Sequence, residues 1–174
     1  MFNKRTILIT LAPLLLLIIP LVGVFSSQEW QWGIEDFVLM GVILVGCGFA
    51  YAFISRYGNF TYRAAVGIAV VASFLIVWVN MAVGIIGSED NAANLMYFAV
   101  PFIGLIGAGI SRFEPRGMSW SAFAAAIAVI LIPVIAAFGI GVTFERDLVQ
   151  IVGLSSFFAL LYAVSAYLFR MKLG

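Results

Sequence analysis

Between Arg63 and Glu89 the chain reads AAVGIAVVASFLIVWVNMAVGIIGS, residues 64–88, without a single charged side chain. A helix rises 1.5 Å per residue, so about 20 apolar residues cross a hydrocarbon core roughly 30 Å thick. Ala64–Ile86 meets that length. Lipid offers a peptide backbone no hydrogen bonds, so a run of this kind must close its own bonds as a helix.

Working outward, five further charge-free stretches have the same character: Thr6–Phe25, Phe37–Ile54, Leu95–Ile110, Trp120–Val142 and Leu148–Phe169. Leu95–Ile110 is short, but it extends back to Ala92 if Asp90 or Asn91 serves as N-cap. All 17 charged residues fall in connections or tails. Of the 174 residues 64% are hydrophobic and 10% charged, and the mean hydropathy is +1.17. Soluble domains run to about 25% charged. Lys4 and Arg5 before the first run resemble the start of a signal peptide, but the run is too long and no small-residue cleavage site follows. It is expected to remain as a helix.

The expected fold is therefore all-α: a polytopic membrane protein with six transmembrane helices arranged as three antiparallel hairpins, forming one helical-bundle domain over 1–174. Lys4, Arg5, Arg56, Arg63, Arg112, Arg116, Arg170 and Lys172 share one side, and Arg146 alone stands on the other. The positive-inside rule puts both termini in the cytoplasm, with the inner (plasma) membrane as location. Acidic residues show the converse, since Glu114 alone accompanies the basic side. Trp30, Trp32, Tyr57, Tyr62, Tyr97, Trp120 and Tyr167 are expected in the interfacial belts. Arg56, Arg112 and Arg170 recur at similar intervals, and Ile-Ser-Arg-aromatic occurs at 54–57 and 110–113. Any six-helix chain obeying the charge rule produces comparable spacing, so a triplicated hairpin does not follow.

The absences narrow the chemistry. There is no histidine, and Cys47 is alone. That removes His-ligated haem, the Ser-His-Asp triad and any zinc site made of His or four Cys. No phosphate-binding loop, dinucleotide fingerprint or nucleophile elbow occurs. No cofactor is expected. A net charge of +1 without a basic run argues against nucleic acid. No carboxylate, lysine or arginine lies inside a span, which counts against a proton relay at mid-membrane.

Polar residues do gather toward one face. Asn80 is about six residues from the outer end of the third helix, with Ser155 and Ser156 at similar depth on the sixth. Pro20, Pro101 and Pro133 fall in the same half and each frees a carbonyl. The loop 87–94 above them carries Glu89, Asp90, Asn91 and Asn94. Asn80, Ser155, Ser156, Glu89, Asp90, Asn91 and Asn94 thus form a candidate polar pocket, and oxygen ligands of this kind suit Ca²⁺ or Mg²⁺. The plainer reading is that Asn80 and the serines join helices, while Asp90 or Asn91 caps one. Small residues at one-turn spacing, Ala65/Ala69/Ser73, Gly104/Ala108, Gly107/Ser111 and Ser155/Ala159/Ala163, permit close helix approach.

The leading functional expectation is a non-enzymatic membrane protein acting through helix contacts, as a homo-oligomer or an accessory subunit, with the lipid bilayer as its solvent. A small-solute or cation transporter with an outward acidic vestibule is the alternative. A membrane-embedded enzyme comes third.

Overall fold

The structure, a computed structural model, describes residues 4–26, 32–87, 90–139 and 148–171. Their regular structure is entirely helical. Six helices are long and apolar enough to cross a membrane: α1 (Lys4–Ser26), α2 (Ile34–Tyr57), α3 (Phe60–Val83), α4 (Ala92–Ile110), α5 (Pro115–Gly139) and α6 (Leu148–Arg170). The chain is a multi-pass helical membrane protein. The charged residues Glu29, Glu89, Glu145, Arg146, Asp147 and Lys172, together with Trp30, lie outside the described residues.

The ends are set by short-range chemistry. Asp36 accepts the backbone N–H of Gly33 at 2.8 Å at the start of α2, where a carboxylate also favours the helix dipole. Asn59 caps α3 by accepting the N–H of Tyr62 at 3.1 Å. Gly84, at φ 67°, ends α3, and its N–H donates to the carbonyl of Asn80. Only glycine takes that conformation without a Cβ penalty. Asn91 caps α4, whose first turns, Ala92–Phe98, are 3₁₀ before the α-helical Ala99–Ile110. Of the two N-caps open from sequence, the structure uses Asn91. Pro13 opens a 3₁₀ stretch, Ala12–Leu17, within α1, and Pro133 lies inside α5.

Two compact units divide the chain, Met1–Arg56 and Tyr57–Gly174. In the first, α1 and α2 form an antiparallel hairpin. Gly48 lies against the backbone of Thr10, and Gly41 lies beside Leu14 and Leu17. A Cβ at Gly48 would strike the Thr10 carbonyl oxygen, so these helices approach as closely as small residues allow.

In the second unit α3 packs on α6, α6 on α5, and α5 on α4. The consecutive helices α3 and α4 meet mainly through the first turns of α4. Three antiparallel hairpins would pair neighbours in sequence; α3 instead takes α6 as its main neighbour. The physical reason is a matched seam. Ser165 Oγ donates to the carbonyl of Ala65 at 2.8 Å, and Ser73 Oγ and Tyr162 Oη lie 2.8 Å apart. Ser119 Oγ joins α5 to the carbonyl of Ala166, and Ser121 Oγ to that of Gly104. Each such bond contributes about 0.6–2 kcal/mol within a membrane. Ile76, Val129, Phe158 and Tyr162 fill the core between them.

Two aromatic assignments change. Tyr62 and Tyr97 are fully buried, whereas Tyr57, Trp120 and Tyr167 are exposed as belt residues should be. The Tyr62 hydroxyl donates to the carbonyl of Phe113 at 2.8 Å. A buried phenol needs a partner, and here it finds one across the fold. Arg112 and Phe113 both adopt positive φ, 50° and 64°, a conformation costly for side chains of this size. The Tyr62 bond and the stacking of Tyr57 on Phe113 at 4.7 Å hold that turn in place.

Candidate functional site

Of the polar residues singled out from sequence, Asn80 and Asn94 meet at one end of the second unit. The Asn94 side chain is 3% exposed. Its Oδ1 accepts the backbone N–H groups of Ile85 and Ile86 at 3.0 and 2.9 Å, and its Nδ2 donates to the carbonyl of Ile86 at 3.2 Å. One carboxamide thereby satisfies three backbone groups of the segment that leaves α3. The segment turns tightly enough for this because Gly84 and Gly87 sit at φ 67° and 68°. Ile85 and Ile86 are themselves fully buried, so their N–H groups have no water to fall back on.

Asn80 approaches the same residue from α3. Its Nδ2 donates to the backbone carbonyl of Asn94 at 2.7 Å, and the residue is 3% exposed. Its Oδ1 is buried with no hydrogen-bond partner among the described residues. One turn beyond Asn94, Tyr97 places its hydroxyl 3.0 Å from Ser155 Oγ, both side chains buried. This bond ties α4 to α6. Asn80 therefore faces the interior of its unit, as its chemistry demands. Its partner is the backbone carbonyl of Asn94.

The other candidates separate. Asn91 Oδ1 accepts the N–H of Ala93 at 3.0 Å, the bond of a helix cap. Asp90 is exposed. Glu89 lies outside the described residues. Ser156 is exposed on α6 and lines a different feature, an open groove of about 410 Å³ between α5 and α6. Adjacent helical residues point about 100° apart, which sends Ser155 inward and Ser156 outward. Among the described residues, no three His, Cys, Asp or Glu side chains stand close enough to hold a metal ion.

Tyr97 is the participant that sequence reasoning misplaced. Its signal was positional, since it lies three residues after Asn94 and so on the same helical face. The arrangement as a whole can fix a loop and join three helices. No protein-family profile, curated protein or solved structure matches the chain, and it is by its own six apolar helices that it is identified as a multi-pass helical membrane protein.

Proposed function

We propose that this protein has no catalytic role and acts through helix contacts, as a homo-oligomer or as an accessory subunit of a membrane complex. In this reading it resides in an inner (plasma) membrane with both termini in the cytoplasm, as the segregation of its basic residues implies. The observation that carries the proposal is the use of the polar set. Asn94, Asn91, Ser155 and the Asn80 amide are bound to this chain's own backbone and side chains, which leaves them little capacity for a solute. Meanwhile Phe102, Leu105 and Ile106 of α4 are exposed in a stripe. Gly109 continues it, with open space where a Cβ would stand. A notch of this kind accepts a partner helix.

The test is the mass of the protein in nanodiscs of native lipid, read by mass photometry. Self-association, or one stoichiometric membrane-protein partner, supports the reading, and Gly109→Trp should weaken the assembly. A monomer with no partner sinks it.

One observation favours the second reading, a small-solute or cation transporter. Asn80 Oδ1 is a buried acceptor without a donor among the described residues, and such atoms are uncommon enough to ask for a water or an ion. Glu89 and Asp90 would gather cations above it. Cation-dependent thermal stabilisation that disappears in Asn80→Leu would favour this reading over the first.

A further inference from the structure

The groove between α5 and α6 has a charged mouth. Ser119 Oγ bonds to the carbonyl of Ala166, so the start of α5 lies beside the end of α6 and the two run antiparallel. Arg170, near the end of α6, holds its guanidinium 5.2 Å from the centre of the Trp120 ring on α5. Arg116 stands one turn before Trp120 on the same face. Both arginines are exposed. Glu114 is the one carboxylate near this end among the described residues, and no ion pair joins it to either arginine.

Below the mouth the same two faces continue into the membrane span. On α5, Arg116, Trp120, Phe123, Ile127 and Ile130 follow one another at helical spacing, and all five are exposed. On α6, Arg170, Tyr167, Ala163, Leu160 and Ser156 follow at the same spacing in reverse, all exposed except the half-buried Ala163. The groove of about 410 Å³ runs between these stripes, floored by Ala126, Ala159 and Ala163. Small floor residues flanked by Ile127, Ile130 and Leu160 make an open apolar trough. Seven residues separate Ala163 from Arg170, about 10 Å of helix. A glycerol backbone together with the first methylenes of its acyl chain can cover that span.

We propose that the paired faces of α5 and α6 bind one anionic glycerophospholipid, its phosphate at Arg116 and Arg170 beside Trp120 and an acyl chain in the groove beneath. Charge selects the occupant. Two guanidiniums without carboxylate partners among the described residues, at the head of an apolar groove, match a phosphodiester joined to a hydrocarbon chain. Basic pockets between membrane helices bind anionic headgroups for the same reason, and guanidinium is suited to bidentate phosphate recognition. A second copy of this chain would have to bring its own anion to that mouth. The inference stands apart from the oligomer reading, which uses the exposed face of α4.

Native mass spectrometry of the full chain in detergent, with phosphatidylglycerol and phosphatidylcholine of identical acyl chains, decides it. The wild type should retain about one phosphatidylglycerol with roughly tenfold or greater preference, the effect expected of two basic groups. In Arg116→Gln/Arg170→Gln, both exposed positions that leave the core untouched, the preference should fall to near unity. Soluble glycerol 3-phosphate, which has the headgroup chemistry alone, should fail to displace the lipid at matched concentration. Equal retention of the two lipids by the wild type overturns the proposal, as does a preference that survives the double variant. Displacement by glycerol 3-phosphate overturns the acyl half, leaving a phosphate contact without a lipid site. Ala159→Phe should reduce retention of both lipids, and a loss of oligomer mass with retention unchanged would assign the groove to a second copy.

Discussion

The amide nitrogen of Asn80 donates to the backbone carbonyl of Asn94 across 2.7 Å, while the oxygen of the same carboxamide is buried without a partner among the described residues. Half of this side chain is thus structural and half is unused. Asn80→Leu removes both halves while keeping approximate volume. Losing one bond destabilises, and removing a buried orphan acceptor offsets it. The expected change in thermal stability is within about 1 kcal/mol. A loss several times larger would mean that the free oxygen is bonded in the membrane, to water or to a ligand.

Asn94 should behave differently. Asn94→Leu strands the N–H groups of Ile85 and Ile86, each costing about 1–3 kcal/mol when buried. The expected destabilisation is roughly 2–4 kcal/mol, measured by thermal or denaturant unfolding in detergent. Asn94→Asp keeps an acceptor for both N–H groups while replacing the donor that faces the Ile86 carbonyl, so at a pH low enough to keep the buried carboxyl neutral it should fall between wild type and Leu. Equal loss in the two variants would show that the two N–H groups are not what Asn94 serves.

The Tyr97–Ser155 bond is open to a double-mutant cycle. Tyr97→Phe and Ser155→Ala each delete one partner without filling or emptying the site much. A coupling of about 0.6–2 kcal/mol is expected, the range of hydrogen bonds between membrane helices. Additive effects would mean that the two hydroxyls do not depend on each other.

In the first unit the sensitive position is Gly48. The Thr10 backbone occupies the space a Cβ would need, so even Gly48→Ala forces the hairpin apart. Overpacking of this kind costs about 1–3 kcal/mol. Gly46, with open space in place of a Cβ, should accept alanine with little change in melting temperature. Reversal of that order would place the close approach elsewhere.

Sidedness is tested by labelling. In a Cys47→Ala background, cysteines at Ser27, Ser88 and Thr143 should react with an impermeant reagent from outside, and cysteines at Asn59 and Gly117 should not. The opposite result at any two consecutive connections sinks the assignment of cytoplasmic termini.

The helices were readable from sequence because lipid leaves a backbone no other option, and charge marks where each must stop. Asn91 was readable as one of two caps because its carboxamide and position fit that role. The partnership of α3 with α6 was hidden. Ala65, Ala69 and Ser73 announce a close approach, but a stripe of small residues does not name the helix it meets. Asn94 was hidden for a related reason. Three carboxamides lie within reach of one another in sequence, and only the positive-φ turns at Gly84 and Gly87 decide which one meets Ile85 and Ile86. Ser155 and Ser156 differ by a single step along α6, yet one bonds Tyr97 and the other faces the groove.

The pairing of α3 with α6 also bears on how the protein is made. Ribosomal synthesis delivers α3 to the bilayer long before α6 exists, so its seam stands open to lipid while α4 and α5 are inserted. Ser73 is fitted for that interval. Its hydroxyl donates to the carbonyl of Ala69 one turn back, at 2.8 Å, and so carries its own partner until Tyr162 is delivered. Asn80 waits a shorter time, because Asn94 follows it by 14 residues. The second unit cannot close until α6 has been translated, and a chain cut short before α6 would present an unsealed α3 to whatever quality control patrols the membrane.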